Sequence, residues 1–292
     1  MSKNPPPKRR RSSKRCVFCG NTGVSKEHVF GEWLQKLIPR STGRGQDFLR
    51  YTQPAPDGRA VHESRVRMNQ GDLLTIKVRE VCKPCNNRWM GGLETRVKPI
   101  LAPLLDDSSC DLTHGSVRSL ATWAAKSAIT IGYTDRETMC IPLKHRQWLM
   151  EHDEPPPNTT IWLARREEDV TVEVAMRSVF LGTSQDELSQ LRDEPGNTYM
   201  LVFSLRRVCI FVFGTTLTDH VMSPTGEQSQ CFVQLWPNPE PLTWPLQPSI
   251  SSEFIHAWLN AYVRHFEAVA FRLGSMPLSE GFPIRGGTPP SL

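Results

Sequence analysis

"VCKPCNNRWMGGLE", residues 81–94, joins two cysteines separated by two residues to a run that reads as the opening of a helix. A two-residue gap lets both sulfurs of a pair turn to one side and reach a single ion. The same spacing occurs once more, in "CVFCG" at residues 16–20. Two such knuckles supply the four thiolates of a closed tetrahedral site with Zn–S bonds of about 2.3 Å. Cys16, Cys19, Cys82 and Cys85 are therefore read as ligands of a structural zinc. Gly20 beside the first pair and Pro84 inside the second suit tight turns. A redox dithiol accounts for one pair but not for the second. The interval between the pairs is longer than in an ordinary zinc ribbon, so the ion has to clamp an inserted element. Cys110, Cys140, Cys209 and Cys231 stand singly among apolar residues and read as small buried hydrophobes.

The inserted element contains "SKEHVFGEWL", residues 25–34, which has two local readings. Ser25 can cap a helix with Glu27 in its first turn and Val29, Phe30, Trp33, Leu34, Leu37 and Ile38 as its buried face, leaving His28 incidental. Alternatively, Glu27 and His28 are extended, and their side chains point to opposite faces. Further on, "VHESRVRMNQGDLLTIKVREVC" (61–82) reads as two extended runs broken at "NQGD", a hairpin. "NNRWMGGLETRVKPILAPLL" (86–105) reads as a helix with Trp89, Leu93, Val97 and Ile100 on one stripe, which Pro99 and Pro103 should kink or end.

The order CxxC, Glu-His, CxxC-Asn and helix resembles the HNH endonuclease family with its ββα-metal fold, over about Cys16 to Glu94. "CVFCG", "SKEHVFGEWL" and "VCKPCNNRWMGGLE" look like a bacterial HNH subgroup with four zinc cysteines and an additional C-terminal domain. The resemblance implies a role for each matching residue. His28 would be the general base that takes a proton from the attacking water. Glu27 and Asn86 would ligate a catalytic Mg²⁺ or Mn²⁺, which takes oxygen ligands and keeps several waters. Asn86 equally suits a helix cap, and Asn87 is its nearest competitor. Three departures stand out. No Asn occurs in "LLTIKVREVC" (73–82), where the family usually carries one, and Asn69 lies too far upstream. Glu27 replaces the commoner Asp, and Gly31 stands where a Pro often follows the His.

Charge points the same way. Of the 292 residues, the first hundred carry 21 Lys+Arg against 8 Asp+Glu, and the rest carry 14 against 22. A basic first third suits a polyanion, with DNA the expected partner and RNA left open. Arg79, Lys83, Arg88 and Arg96 are candidate phosphate contacts, and His62 a further one. Trp33 and Trp89 read as core.

Residues 1–14 form a Pro-rich basic tail without an apolar run behind it, so no secretory signal and no membrane span are expected, and a cytoplasmic setting follows. Residues 15–105 would be the HNH module. Residues 106–292 would be a larger α+β domain with a mainly antiparallel sheet, available for targeting, a protein partner or homodimerisation. Helices are expected at 116–133, 143–152 and 251–274, and strands in "TTIWLAR", "VTVEVAMRSVFLG", "TYMLVFSLRRVCIFVFG" and "SQCFVQLWP". The fold class is thus α+β, and the function is metal-dependent hydrolysis of phosphodiester bonds. The alternative is a zinc-stabilised nucleic-acid-binding protein without nuclease activity.

Overall fold

The computed structural model describes residues 14–39, 46–54, 60–67, 73–134, 141–179, 198–216, 222–224 and 227–272. The reading of residues 1–14 as a tail falls, except for its last residue, outside them, as do Asn69 and Cys140. The molecule is α+β. Strand β1 (Val24–His28) leads through a 3-10 turn (Glu32–Lys36) towards β2 (Gln46–Pro54) and β3 (Ala60–Arg67), and β4 (Lys77–Cys82) returns to β1. One helical turn (Lys83–Cys85) and a π-turn (Asn86–Met90) run into helix α1 (Gly91–Leu105). Then follow β5 (Cys110–Leu112), α2 (His114–Gly132), α3 (Leu143–His152), the long strands β6 (Thr159–Val179) and β7 (Thr198–Thr215), β8 (Phe232–Trp236), β9 (Leu242–Trp244) and α4 (Ser252–Arg272). Helices α2, α3 and α4 lie where their periodicity put them.

Strand pairing differs from the expectation. β3 and β4 do not form a hairpin with each other. β3 pairs antiparallel with β2, and β4 pairs antiparallel with β1. Alternation identifies a strand but not its partner, and here the two cysteine pairs have to converge, which joins β4 to the segment behind the first pair. The large sheet has the order β3-β2-β6-β7 with β8 on β6. All of its pairings are antiparallel except β2 with β6.

Both faces of β6 and β7 are covered. Ile161, Leu163, Val174, Leu201, Phe203, Ile210 and Val212 pack with α1 and α2, while Trp162, Ala164, Val202, Phe211 and Phe213 pack with α4. A strand buried on both faces reads as a continuous apolar run, as β7 does. Its two faces exchange parity between Leu205 and Val208, where Arg206 adopts φ 54° and the register with β6 shifts. Asp107 accepts two hydrogen bonds from Arg165, and Asp169 two from Arg206, at this bend.

Helix α1 passes through Pro99 and Pro103 without ending. The two prolines lie four residues apart on the outer side, following the exposed Thr95. The carbonyls that lose an N–H partner therefore meet water rather than the core. The expected boundary at 105/106 coincides with the end of α1, and one apolar cluster, from Cys16 to Trp244, runs across it. Among the described residues no helix is long and apolar enough to cross a membrane.

A buried histidine gives this core an acid limit. His145 of α3 is 4% exposed, with Nδ1 3.1 Å from the Tyr199 hydroxyl of β7. Burial, aided by the Lys144 charge, pushes the imidazole down to about 4. The folded value lies below the unfolded one, so the unfolded chain binds the extra proton, and stability is lost as pH falls from about 6.5 towards 4. Between pH 7 and pH 5 the loss from this residue is on the order of 2 kcal/mol. His145→Gln is expected to remove that part of the acid sensitivity, measured as a smaller change in urea midpoint between the two pH values.

Candidate metal centre and adjoining acid–histidine site

The first cysteine knuckle turns back on itself. The Gly20 amide donates to the Cys16 carbonyl at 2.9 Å, the Cys16 amide donates to the Asn21 carbonyl at 2.7 Å, and Gly20 sits at φ 73°, a conformation natural to glycine. The second knuckle, with Pro84 in the helical turn, starts the helix itself. Pairing of Val24 with Cys82 puts the two side by side. The sulfurs of Cys16, Cys19, Cys82 and Cys85 all lie within 4.8 Å of one another, with Cys19 and Cys82 at 3.5 Å. Tetrahedral Zn–S bonds imply S–S edges of roughly 3.8 Å, so a zinc ion fits this group.

Cys16, Cys82 and Cys85 are buried, and Cys19 is half-buried. Burial, with hydrogen bonds from Cys19 and Cys82, pushes the Cys85 thiol up. Cys16 is also pushed up by burial, but amides of Cys19, Cys82 and Phe18 bring it below the usual thiol range. Four crowded thiols cannot all ionise without a cation among them. Trp89 packs against the cluster, edge-on to Phe18 at 5.0 Å.

Glu27 and His28 are the last residues of β1, so this stretch is extended and does not open a helix. Ser25 lies within the strand, where its hydroxyl donates to the Val81 carbonyl at 3.2 Å. Arg79 and Glu80 of β4 together oppose Lys26 alone, which bends the ribbon just before Glu27. Glu27 then stands opposite Val78 and turns inward, and His28 stands opposite Lys77 on the outer face. Val29, Phe30, Leu34 and Ile38 are buried behind them. Leu34 belongs to the 3-10 turn, and Trp33 and Leu37 are half-buried.

Inward-facing Glu27 is 8% exposed and hydrogen-bonded to the Asn86 side chain. Burial pushes its carboxyl up to about 7, Lys126 pulls it down, and Glu94 raises it further. His28 is half-buried; burial and then the Lys77 charge hold its imidazole below the usual range, neutral at pH 7. Asn86 is the first member of the π-turn, whose N-cap position is held by Cys85. Asn87 is exposed.

Two residues of this site were absent from the sequence reading. Lys126 of α2 is fully buried, with Nζ 2.9 Å from Glu94 Oε1. Glu94 of α1 turns its other oxygen towards Gly31, where a Cβ would stand 2.6 Å from that oxygen and collide with the Trp33 indole. Any residue with a Cβ at position 31, proline included, would meet these same atoms. The sequence signal for Lys126 was a single ammonium within "ATWAAKSAITIG" (121–132), a stretch that is buried throughout.

Lys77, Arg79, Lys83 and Arg88 are exposed near the ribbon and the helix start. Arg96 is engaged by Asp153 at 2.5 Å. His62 lies on β3 opposite Tyr51, in the large sheet rather than on the β1–β4 ribbon.

Replacing Cys82 by Ser removes one of four ligands. The variant is expected to lose its equivalent of bound zinc by mass spectrometry and its hydrogen-exchange protection over residues 16–30 and 77–90. A Cys82→Ser protein that kept both would refute the four-sulfur centre.

Comparison of the chain with protein-family models, curated proteins and solved structures finds no match.

Proposed function

We propose that the chain is a metal-dependent endonuclease of the HNH type, with a zinc-stapled ββα-metal module in residues 15–105 and residues 106–292 as an accessory unit. One juxtaposition carries this. Glu27, from the strand behind the first cysteine pair, meets Asn86, directly behind the second, side chain to side chain, and His28 follows on the outer face. Both meeting groups offer hard oxygens, the donor set that Mg²⁺ or Mn²⁺ takes. Glu27 and Asn86 would hold that ion, and the zinc among the cysteines would be structural.

A divalent ion there supplies positive charge against the phosphate and the leaving oxygen. The chain's own residues do the rest. His28 is neutral at pH 7 and half-exposed, so it can take a proton from water at the phosphorus. Lys77 and Arg79 lie on the outward side of β4, and with Lys83 and Arg88 they offer phosphate contacts that set the strand's position without reading its sequence. DNA is the substrate that this basic surface suits. Arg96 is a weaker candidate than the sequence implied, since Asp153 already holds it.

One observation favours a second reading, a nucleic-acid-binding protein that does not cut. Glu27 has a buried cation nearby in Lys126, so part of its charge is met from within the chain.

Incubation of the purified full chain with supercoiled plasmid separates the two. With Mg²⁺ or Mn²⁺ the wild type should nick, and His28→Ala should cut about 100-fold or more slowly while binding DNA equally well. Equal cutting by the variant would discard the role of His28. Salt-sensitive binding without cutting in either metal would favour the second reading.

A further inference from the structure

Asn86 and Glu94 are eight residues apart, which on a regular helix overshoots two turns by about 80°. The π-turn at Asn86–Met90 takes up one extra residue. The two side chains then behave as a pair seven apart, two turns along one face. That face meets Glu27 through Asn86 and Lys126 through Glu94. Glu94 is thus paired with an ammonium whose charge also acts on Glu27, and that ammonium comes from α2, beyond the segment that resembles the HNH module. Lys126 is fully buried and cannot swing into solvent, whereas the Glu94 side chain is 19% exposed.

We propose that Lys126 is a positioning residue that acts as a built-in competitor of the divalent ion. Its ammonium pairs with Glu94 and places its charge near Glu27 when no ion is bound, and that charge weakens the ion's binding. This rests on the metal site described under Proposed function. The ammonium donates only and cannot itself be a ligand while charged. Its influence is therefore electrostatic, and it has opposite signs in two variants. Lys126→Met leaves both carboxylates for the ion and tightens binding. Glu94→Gln leaves the whole ammonium charge facing Glu27 and loosens it. A merely structural ion pair would destabilise the fold in both variants and leave ion affinity alone.

The test is Mn²⁺ binding to the zinc-loaded full chain, followed by calorimetry at fixed pH, with thermal melts in parallel. Expected are at least tenfold tighter binding for Lys126→Met, at least tenfold weaker binding for Glu94→Gln, and a larger rise in Tm on adding Mn²⁺ for Lys126→Met than for wild type. Wild-type binding with unchanged or weaker affinity in Lys126→Met would overturn the competitor role while leaving the metal site standing. Binding by Lys126→Met where wild type binds none would support the competitor and count against a metal-dependent wild type. No binding by either protein would remove both. If Lys126→Met does not fold, Glu94→Gln decides alone, and an unchanged affinity there overturns the proposal.

Discussion

Sulfur brings together two segments that nothing else in the sequence obliges to meet. Cys19 and Cys82 lie 63 positions apart, yet their sulfurs approach to 3.5 Å. Closing a loop of that length costs conformational entropy, and a two-stranded ribbon as short as β1–β4 is marginal by itself. A metal ion held by these four sulfurs would contribute on the order of 10–16 kcal/mol, as in small zinc domains, enough to offset both costs. The register of β1 on β4, the inward turn of Glu27 and the place of Asn86 all follow from that convergence.

The segment is also held from the far side of the chain. The Thr130 hydroxyl of α2 donates to the Val29 carbonyl at 2.9 Å, directly after His28. Arg146 of α3 donates to the Val17 carbonyl inside the first knuckle at 3.3 Å. With the Lys126–Glu94 pair, these contacts make α2 and α3 a wall of the site. Removing one partner of such a buried pair costs about 3–5 kcal/mol, because a charge is left without compensation.

Local features were legible in the sequence, and partnerships were not. The two CxxC pairs announced their cluster because ligand spacing is a property of the chain itself. Helices α2, α3 and α4 announced themselves through periodicity. The partners of β3 and β4 were hidden, since alternation is the same whichever neighbour a strand finds, and β2 was not recognised at all. Pro99 and Pro103 misled because whether a proline ends a helix depends on whether its freed carbonyl meets water, which burial decides. Lys126 looked like any helix charge until Glu94 was brought to it from another element.

The parity exchange at Arg206 sets a rule for how this chain can vary. On either side of it, β6 and β7 present a fixed odd or even set of side chains to α1 and α2, and the opposite set to α4. A single inserted or deleted residue at that bend would send every core side chain of one half to the wrong layer. The strands can therefore exchange one apolar residue for another with modest cost, but their length is fixed by counting. Related chains should differ there in identity and agree in spacing.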